Sequence, residues 1–263
     1  SGEGKMTAVR VGFSFSPAGL LTAYHMGVAY SLARAGILTK KTPVAGASGG
    51  SLTAAAIAAN LSEDTAMDTC VRVSELCRSS GTALRLHGHL QLCLNDILGE
   101  DEYKAVIGRE GLLAVAYTEM YPSFRGITTS EFSNRQDLLE VLSASCFIPF
   151  YSAGSPYTRC RGAYCCDGFF ASPSAQFFSP VVPSADKTVF ISPFSTKIYD
   201  WGKGLESISP DPETFPFSSA DTLRLALSPP TLSEGGDKVL ETLWAAGERD
   251  AQEWQARPGK ASV

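Results

Sequence analysis

One stretch constrains this chain more than any other: VAGASGGSLTAAAIAAN, residues 44–60. A short apolar run meets Gly46-Ala47-Ser48-Gly49-Gly50, and an alanine-rich helical segment starts at once. A strand turning sharply into a helix through small residues is a building unit of α/β sheets. The surrounding sequence repeats that alternation. AVRVGFSF (8–15) reads as a buried strand, ended by SPAG. LLTAYHMGVAYSLARAG (20–36) has helical spacing, with Gly36 where a C′ glycine belongs. Ser62 is a good N-cap for a helix to about Arg78. Residues 79–110 hold no stable period and read as loops and short helices. Strands are expected at 112–120 and 187–194, with 123–132 pairing or looping back, and GAYCCDGFF (162–170) reads as a strand, a turn and then a new element. A helix is expected at 133–145, N-capped by Ser133. Residues 195–218 read as a long surface excursion. The chain ends in two helices, 219–227 and 232–256, split by the SPP at 228–230. This predicts a mostly parallel central sheet with helices on both faces, a three-layer α/β/α fold. No repeat or linker interrupts it, so one domain is expected over 8–256, with tails at 1–7 and 257–263.

Bulk properties narrow the chemistry. A chain of 263 residues with 44% hydrophobic content can bury a sizeable core. A formal net charge of -5 argues against nucleic acid as a partner, because phosphate binding needs clustered Lys and Arg. It leaves a membrane surface open, since an apolar rim can bind one without a basic patch. The seven cysteines are odd in number and follow no disulfide framework, which points to a reduced intracellular compartment. No CxxC pair occurs and there are three histidines, His25, His87 and His89, so neither metal nor cofactor is expected. No stretch has transmembrane length and no signal-peptide core is present. The opening SGEGKM reads as a trimmed end, so a targeting segment would be missing.

Three segments can carry chemistry. Ser48 is either a nucleophile on a strained turn, where the helix N-terminus favours an oxyanion, or a small residue in an ordinary βα bend. FSFSPAGLLTAYHMG (13–27) either aims backbone N–H groups at an anion or simply connects strand to helix. In CCDGFF, Asp167-Gly168 is either a plain turn or a carboxylate positioned to accept a serine proton. The histidines weigh on this choice. A Ser–Asp–His hydrolase in the usual order needs a histidine after the acid, and none follows His89. If Ser48 is a nucleophile, then either an earlier histidine serves out of order or the aspartate alone is the base. Mid-helix His25 reads as packed, and His87 and His89 read as exposed loop residues.

With FSPAGLLTAYHMGV, GASGGSL and DGF in that order, the chain resembles patatin-like phospholipase domains. SEFSNRQDLLEVLSASCFIPFYSAG (130–154), VFISPFS (189–195) and TLRLALSPP (222–230) are similar to the patatin domains of adipose-triglyceride-lipase-like proteins. The resemblance spans about residues 8–256. It implies a lipid acyl hydrolase with Ser48 as nucleophile and Asp167 as base, acting through an acyl-enzyme. It implies a glycine-rich oxyanion loop at Ser16–Gly19. Here the family's first loop glycine falls on Pro17 and its last on Thr22. Proline has no N–H, leaving Ala18 and Gly19, with Leu20, as candidate donors. The bulky Phe169 follows Asp167-Gly168 and is expected to narrow the space beside the dyad. Leu20, Leu21, Phe147, Phe169, Phe150 and Phe170 are candidate acyl-channel residues. An acyl-lipid substrate and a lipid-droplet or membrane surface are the expected partners, with IYDW (198–201) or FPF (215–217) as surface contacts. A transacylase and a weakly active or inactive lipid-binding or regulatory module are the alternatives. A P-loop or dinucleotide site lacks the needed lysine and third glycine. The lipid class stays open.

Overall fold

The computed structural model describes residues 9–202 and 204–258. The tails expected at 1–7 and at the C-terminal end lie outside them, apart from residues 257 and 258. The strands are β1 Val11–Phe15, β2 Val44–Ala47, β3 Leu113–Tyr121, β4 Arg125–Thr129, β5 Thr158–Cys160, β6 Ala163–Cys166, β7 Lys187–Ile191 and β8 Ser207–Ile208. They form one sheet in the order β5-β6-β3-β2-β1-β7-β8, with β4 also on β3. The β3-β2-β1-β7-β8 run is parallel, while β4, β6 and β5 join antiparallel. The helices are α1 Thr22–Arg34, α2 Gly49–Ala58, α3 Glu63–Ser80, α4 Leu86–Ile97, α5 Glu100–Gly108, α6 Arg135–Ser145, α7 Ser219–Leu227 and α8 Asp237–Gln255. The central strands are apolar throughout. Phe13, Phe15, Val44, Ala45, Val115 and Ile191 are buried, as a sheet covered on both faces requires.

One register feature positions everything that follows. β3 has two edges. β4 pairs with residues 115–119 along one of them. β2 pairs with 113–116 and β6 with 118–121, so both must share the other edge. β2 runs parallel to β3 and β6 runs antiparallel. Their C-terminal ends therefore meet head-on, Ala47 opposite Ala116 and Cys166 opposite Thr118. Ser48 and Asp167 are the residues that follow.

The helical reading needed revision in places. Residues 79–110 hold two well-formed helices. In α4, Leu86, Leu90, Cys93 and Leu94 make a buried stripe at helical spacing, which the histidines and Gly88 disguise. α5 starts with three acidic residues and the Glu102 carboxylate accepting from Gly99 N–H at 3.0 Å. The cap of α6 is Asn134, which accepts from Asp137 N–H at 2.9 Å, while Ser133 lies outside. α8 begins at Asp237, because Gly235 and Gly236 at positive φ end a single 3-10 turn at Leu232–Glu234. β5 and β8 are three and two residues long, too short for any alternation to show. The 195–218 excursion contributes β8 and packs Phe215 and Phe217 on the core. Its Tyr199 stacks on Trp201 at 4.7 Å.

Candidate active site

Ser48 stands between β2 and α2 with φ 52 and ψ -133. Positive φ is costly for a residue with a Cβ, of order 1–3 kcal/mol, and persists only where the surroundings over-determine it. The surroundings here are backbone. A Cβ at Gly46 would lie 2.4 Å from the Gly50 carbonyl oxygen, and one at Gly50 would lie 2.2 Å from that of Phe15. The turn is therefore closed by contacts that only glycine allows. Two serines fasten it. Ser145, at the end of α6, accepts from Ser48 N–H at 2.9 Å and donates to the Ala116 carbonyl at 2.6 Å. Ser51 donates its hydroxyl to the Ser48 carbonyl at 2.7 Å.

Asp167 is held from three directions. Its N–H donates to the Phe147 carbonyl at 2.8 Å, and its carbonyl accepts from the Thr118 hydroxyl at 2.8 Å. Its Oδ1 accepts from Phe169 N–H at 2.8 Å. The remaining oxygen, Oδ2, accepts from the Ser48 hydroxyl at 2.9 Å. Gly168 makes the approach possible, since a Cβ there would meet the Ala116 carbonyl oxygen at 2.3 Å. Ser48 and Asp167 are 5% and 2% exposed. Burial pushes the Asp167 carboxyl up to about 7, and the bonds from Phe169 N–H and Ser48 pull it part of the way back.

No hydrogen bond joins a histidine to either side chain among the described residues. His25 is wholly buried, edge-on to Phe15 at 5.5 Å, and burial lowers its pKa to about 3. His87 lies edge-on to Phe147 at 5.1 Å, and burial lowers its pKa. His89 bonds to Ser80 and the Gly81 carbonyl.

The residues expected at an oxyanion loop divide. Leu20 N–H is taken by the Ala226 carbonyl at 2.9 Å, which removes it as a donor. Ala18 is buried and Gly19 lines the cavity at Ser48, its backbone packed on Gly49. Pro17 is half-buried, its carbonyl accepting from the Ser16 hydroxyl at 3.2 Å, and Thr22 opens α1 with its hydroxyl toward Cys70. Sequence reasoning missed two residues. Gly49 is the first residue of α2 and lines the same cavity, where the helix dipole concentrates positive potential. Ser145 anchors the elbow. Its only signal was a small polar residue ending an apolar helix.

The candidate channel residues also separate. The cavity at Ser48 is small, about 20 Å³, and is walled by Leu20, Leu52, Leu86, Leu90, Cys146 and Ile148. Leu21 is fully buried in the core and Phe147 is buried beneath the dyad. The expectation that Phe169 narrows the site is corrected. Its ring turns outward and stacks on Phe178 at 4.1 Å, and only its N–H serves the site. Phe170 faces Phe124 at 6.3 Å, and Phe150 is exposed.

Fold and site together define a three-layer α/β protein with a serine on a strained strand–helix turn beside a buried carboxylate. The chain belongs to the patatin-like phospholipase family, whose model matches residues 13–175. That makes it a lipid-directed enzyme of esterase type. It is 29% identical over 251 residues to human patatin-like phospholipase domain-containing protein 4, covering 90% of this chain and 93% of that one. It is 28% identical over 170 residues to mouse omega-hydroxyceramide transacylase, covering 62% of this chain but 26% of that protein. The crystal structure of VipD from Legionella pneumophila shares the fold, with TM-score 0.52 and 12% identity over 94% of this chain and 67% of that one. Among the described residues, no helix is long and apolar enough to cross a membrane.

Proposed function

We propose that the protein cleaves fatty-acyl esters of lipids with Ser48 and Asp167 alone. The observation that carries this is the 2.9 Å bond from the Ser48 hydroxyl to a buried carboxylate. Asp167 takes the hydroxyl proton as Oγ bonds to the ester carbonyl carbon. The carbonyl oxygen gains the negative charge, facing the Gly19 and Gly49 N–H groups at the positive end of α2. As the intermediate collapses, Asp167 returns the proton to the departing alcohol and an acyl-enzyme remains on Ser48. Water then attacks, Asp167 accepts its proton, and Ser48 regains a proton as the fatty acid leaves. An alcohol in place of water gives acyl transfer. That second reading is favoured by the likeness to a transacylase.

Ser48→Ala and Asp167→Asn should each lower release of labelled fatty acid by about 10³-fold or more. Retained release by purified Ser48→Ala would end the proposal. A carboxyl raised to about 7 must be ionised to act as a base. Activity should therefore fall as pH drops through about 7 and level off above it. The alternative of a weakly active or inactive lipid-binding module predicts little or no activity at any pH.

A lipid surface is the proposed partner, and the rim of the Ser48 cavity is the proposed contact. Leu84 and Phe150 lie two residues from the cavity walls Leu86 and Ile148. They are 61% and 64% exposed, and both adopt positive φ, at 66 and 62. Bulky side chains in that conformation are outliers, and here two of them face solvent. Tyr151 ties their loops together, its carbonyl accepting from Leu84 N–H and its hydroxyl donating to the carbonyl of exposed Leu227. Such a rim suits insertion into a bilayer interface. Leu84→Ser with Phe150→Ser should abolish flotation with phosphatidylcholine vesicles, whereas Trp201→Ala should not. The reverse result would move the contact to the 195–218 segment.

A further inference from the structure

The chain has eight Ser-Pro or Thr-Pro dipeptides. In seven of them the hydroxyl residue is buried or half-buried; Ser228, at the end of α7, is the exposed one. Its backbone is extended, with φ -139 and ψ 138, as the proline that follows demands. An exposed, extended serine before a proline is the shape and sequence that a proline-directed protein kinase takes into its cleft.

Ser228 stands on an open groove between α3 and residues 228–233. Arg78 is the cation on its wall and Glu75 the carboxylate, while Ser79, Thr231 and Ser233 add hydroxyls. The Arg78 guanidinium is fixed close by. It donates to the Pro230 carbonyl at 3.4 Å and to the Asp237 carboxylate at 2.7 Å, with 15% of its side chain exposed. A phosphate on Ser228 would find an arginine and hydroxyl donors in the same groove.

The segment just before Ser228 gives the position its consequence. The Ala226 carbonyl accepts from Leu20 N–H at 2.9 Å. Gly19 packs on the same oxygen so closely that a Cβ there would lie 1.9 Å from it. The Leu227 carbonyl accepts from the Tyr151 hydroxyl. Ser228 N–H closes this last turn on the Arg224 carbonyl at 2.8 Å. The carbonyl end of α7 is thus a strap over the loop that carries the Gly19 N–H. A phosphate brings a charge of about -1.5 to -2 to that end, where negative charge repels the helix carbonyls. It also competes with Asp237 for Arg78, the tie between α3 and the start of α8.

We propose that Ser228 is a phosphorylation site, and that its phosphate, drawn to Arg78, loosens the last turn of α7, releases the Gly19–Leu20 loop and lowers turnover at Ser48. The kinase passes the γ-phosphoryl group of ATP to Ser228: the Oγ–P bond forms, the P–O bond to ADP breaks, and the hydroxyl proton goes to the kinase's own base. The site and the strap stand independently of the dyad reading; the loss of turnover rests on it.

The full chain, treated with a cyclin-dependent kinase and ATP, should carry phosphate at Ser228 by mass spectrometry, and Ser228→Ala should carry none. Hydrogen exchange at the Leu20 amide should quicken about tenfold or more in the phosphorylated protein and stay slow in kinase-treated Ser228→Ala. Ester hydrolysis should fall about tenfold and return on phosphatase treatment. Ser228→Ala should hydrolyse like the unmodified protein, with or without kinase. Absence of phosphate at Ser228, unchanged Leu20 exchange, or an unchanged rate in the phosphorylated protein would overturn the proposal. Faster Leu20 exchange on phosphorylation of a protein that hydrolyses no ester when unmodified would instead uphold the site and the strap and refute the dyad reading.

Discussion

Small residues do opposite work in two regions of this molecule. Where α1 meets α8, glycine removes space. A Cβ at Gly27 would lie 2.1 Å from the Trp244 carbonyl oxygen, and one at Gly247 would lie 2.1 Å from that of Tyr24. The two backbones touch through reciprocal glycines, and Tyr24 spans the contact to bond Asp250 at 2.8 Å. Where α2 faces α3 and α4, Ala55, Ala56 and Ala66 leave a cavity of about 70 Å³ with apolar walls, close to Ser48. One region is closed by contact, the other held open by truncated side chains. A packed pair of helices contributes stability. A cavity contributes none and lowers it by forgone contacts.

The contrast can be broken by exchanging its terms. The largest expected effect is at the closed contact. Gly247→Val should destabilise the protein by about 3 kcal/mol or more, because backbone cannot yield to a Cβ at 2.1 Å. Urea unfolding or loss of soluble protein would report it, and an unchanged midpoint would show that the helices are not locked there. Ser145→Ala comes next. It frees the Ser48 N–H and the Ala116 carbonyl, loosens the elbow and should lower kcat about 10²-fold with KM little changed. A pure KM effect would deny Ser145 a positioning role. On the open side, Ala55→Leu should cost less than about 1.5 kcal/mol, because the added methyls enter existing space. A loss as large as at Gly247 would show that the void is an illusion of static side chains. The smallest effect is Ser48→Gly, which relieves a positive φ of 52 and should raise stability by about 1 kcal/mol while removing the proposed nucleophile.

What the sequence disclosed follows the same division. The elbow was legible because a turn built of backbone contacts dictates composition, and GASGG is hard to explain otherwise. The Ser48–Asp167 meeting depends on β2 and β6 sharing one edge of β3. No local pattern carries that information; the residues left Asp167 as one of two readings, and the resemblance chose between them. The sequence gives no ring direction, and Phe169 illustrates the consequence: its position beside Asp167 is local, but its stacking on Phe178 is not. The alanines of α2 read as ordinary helix packing, since a residue that leaves space and one that fills it look alike until the neighbouring helices are in place. Leu84 and Phe150 were hidden for a related reason. Positive φ is expected of glycine or asparagine, and nothing in TALRL or IPFY signals it. The long excursion at 195–218 drew attention through its aromatics, yet these serve the core and each other.

The central claim is that one buried carboxylate activates Ser48 without a histidine. It is tested most directly by the rate at which a fluorophosphonate labels Ser48, followed against pH in the wild type, Asp167→Asn and His87→Gln. The account predicts labelling of Ser48 that rises through a single ionisation near 7, is lost in Asp167→Asn and is unchanged in His87→Gln. Labelling that survives in Asp167→Asn, or that disappears with His87, would contradict it.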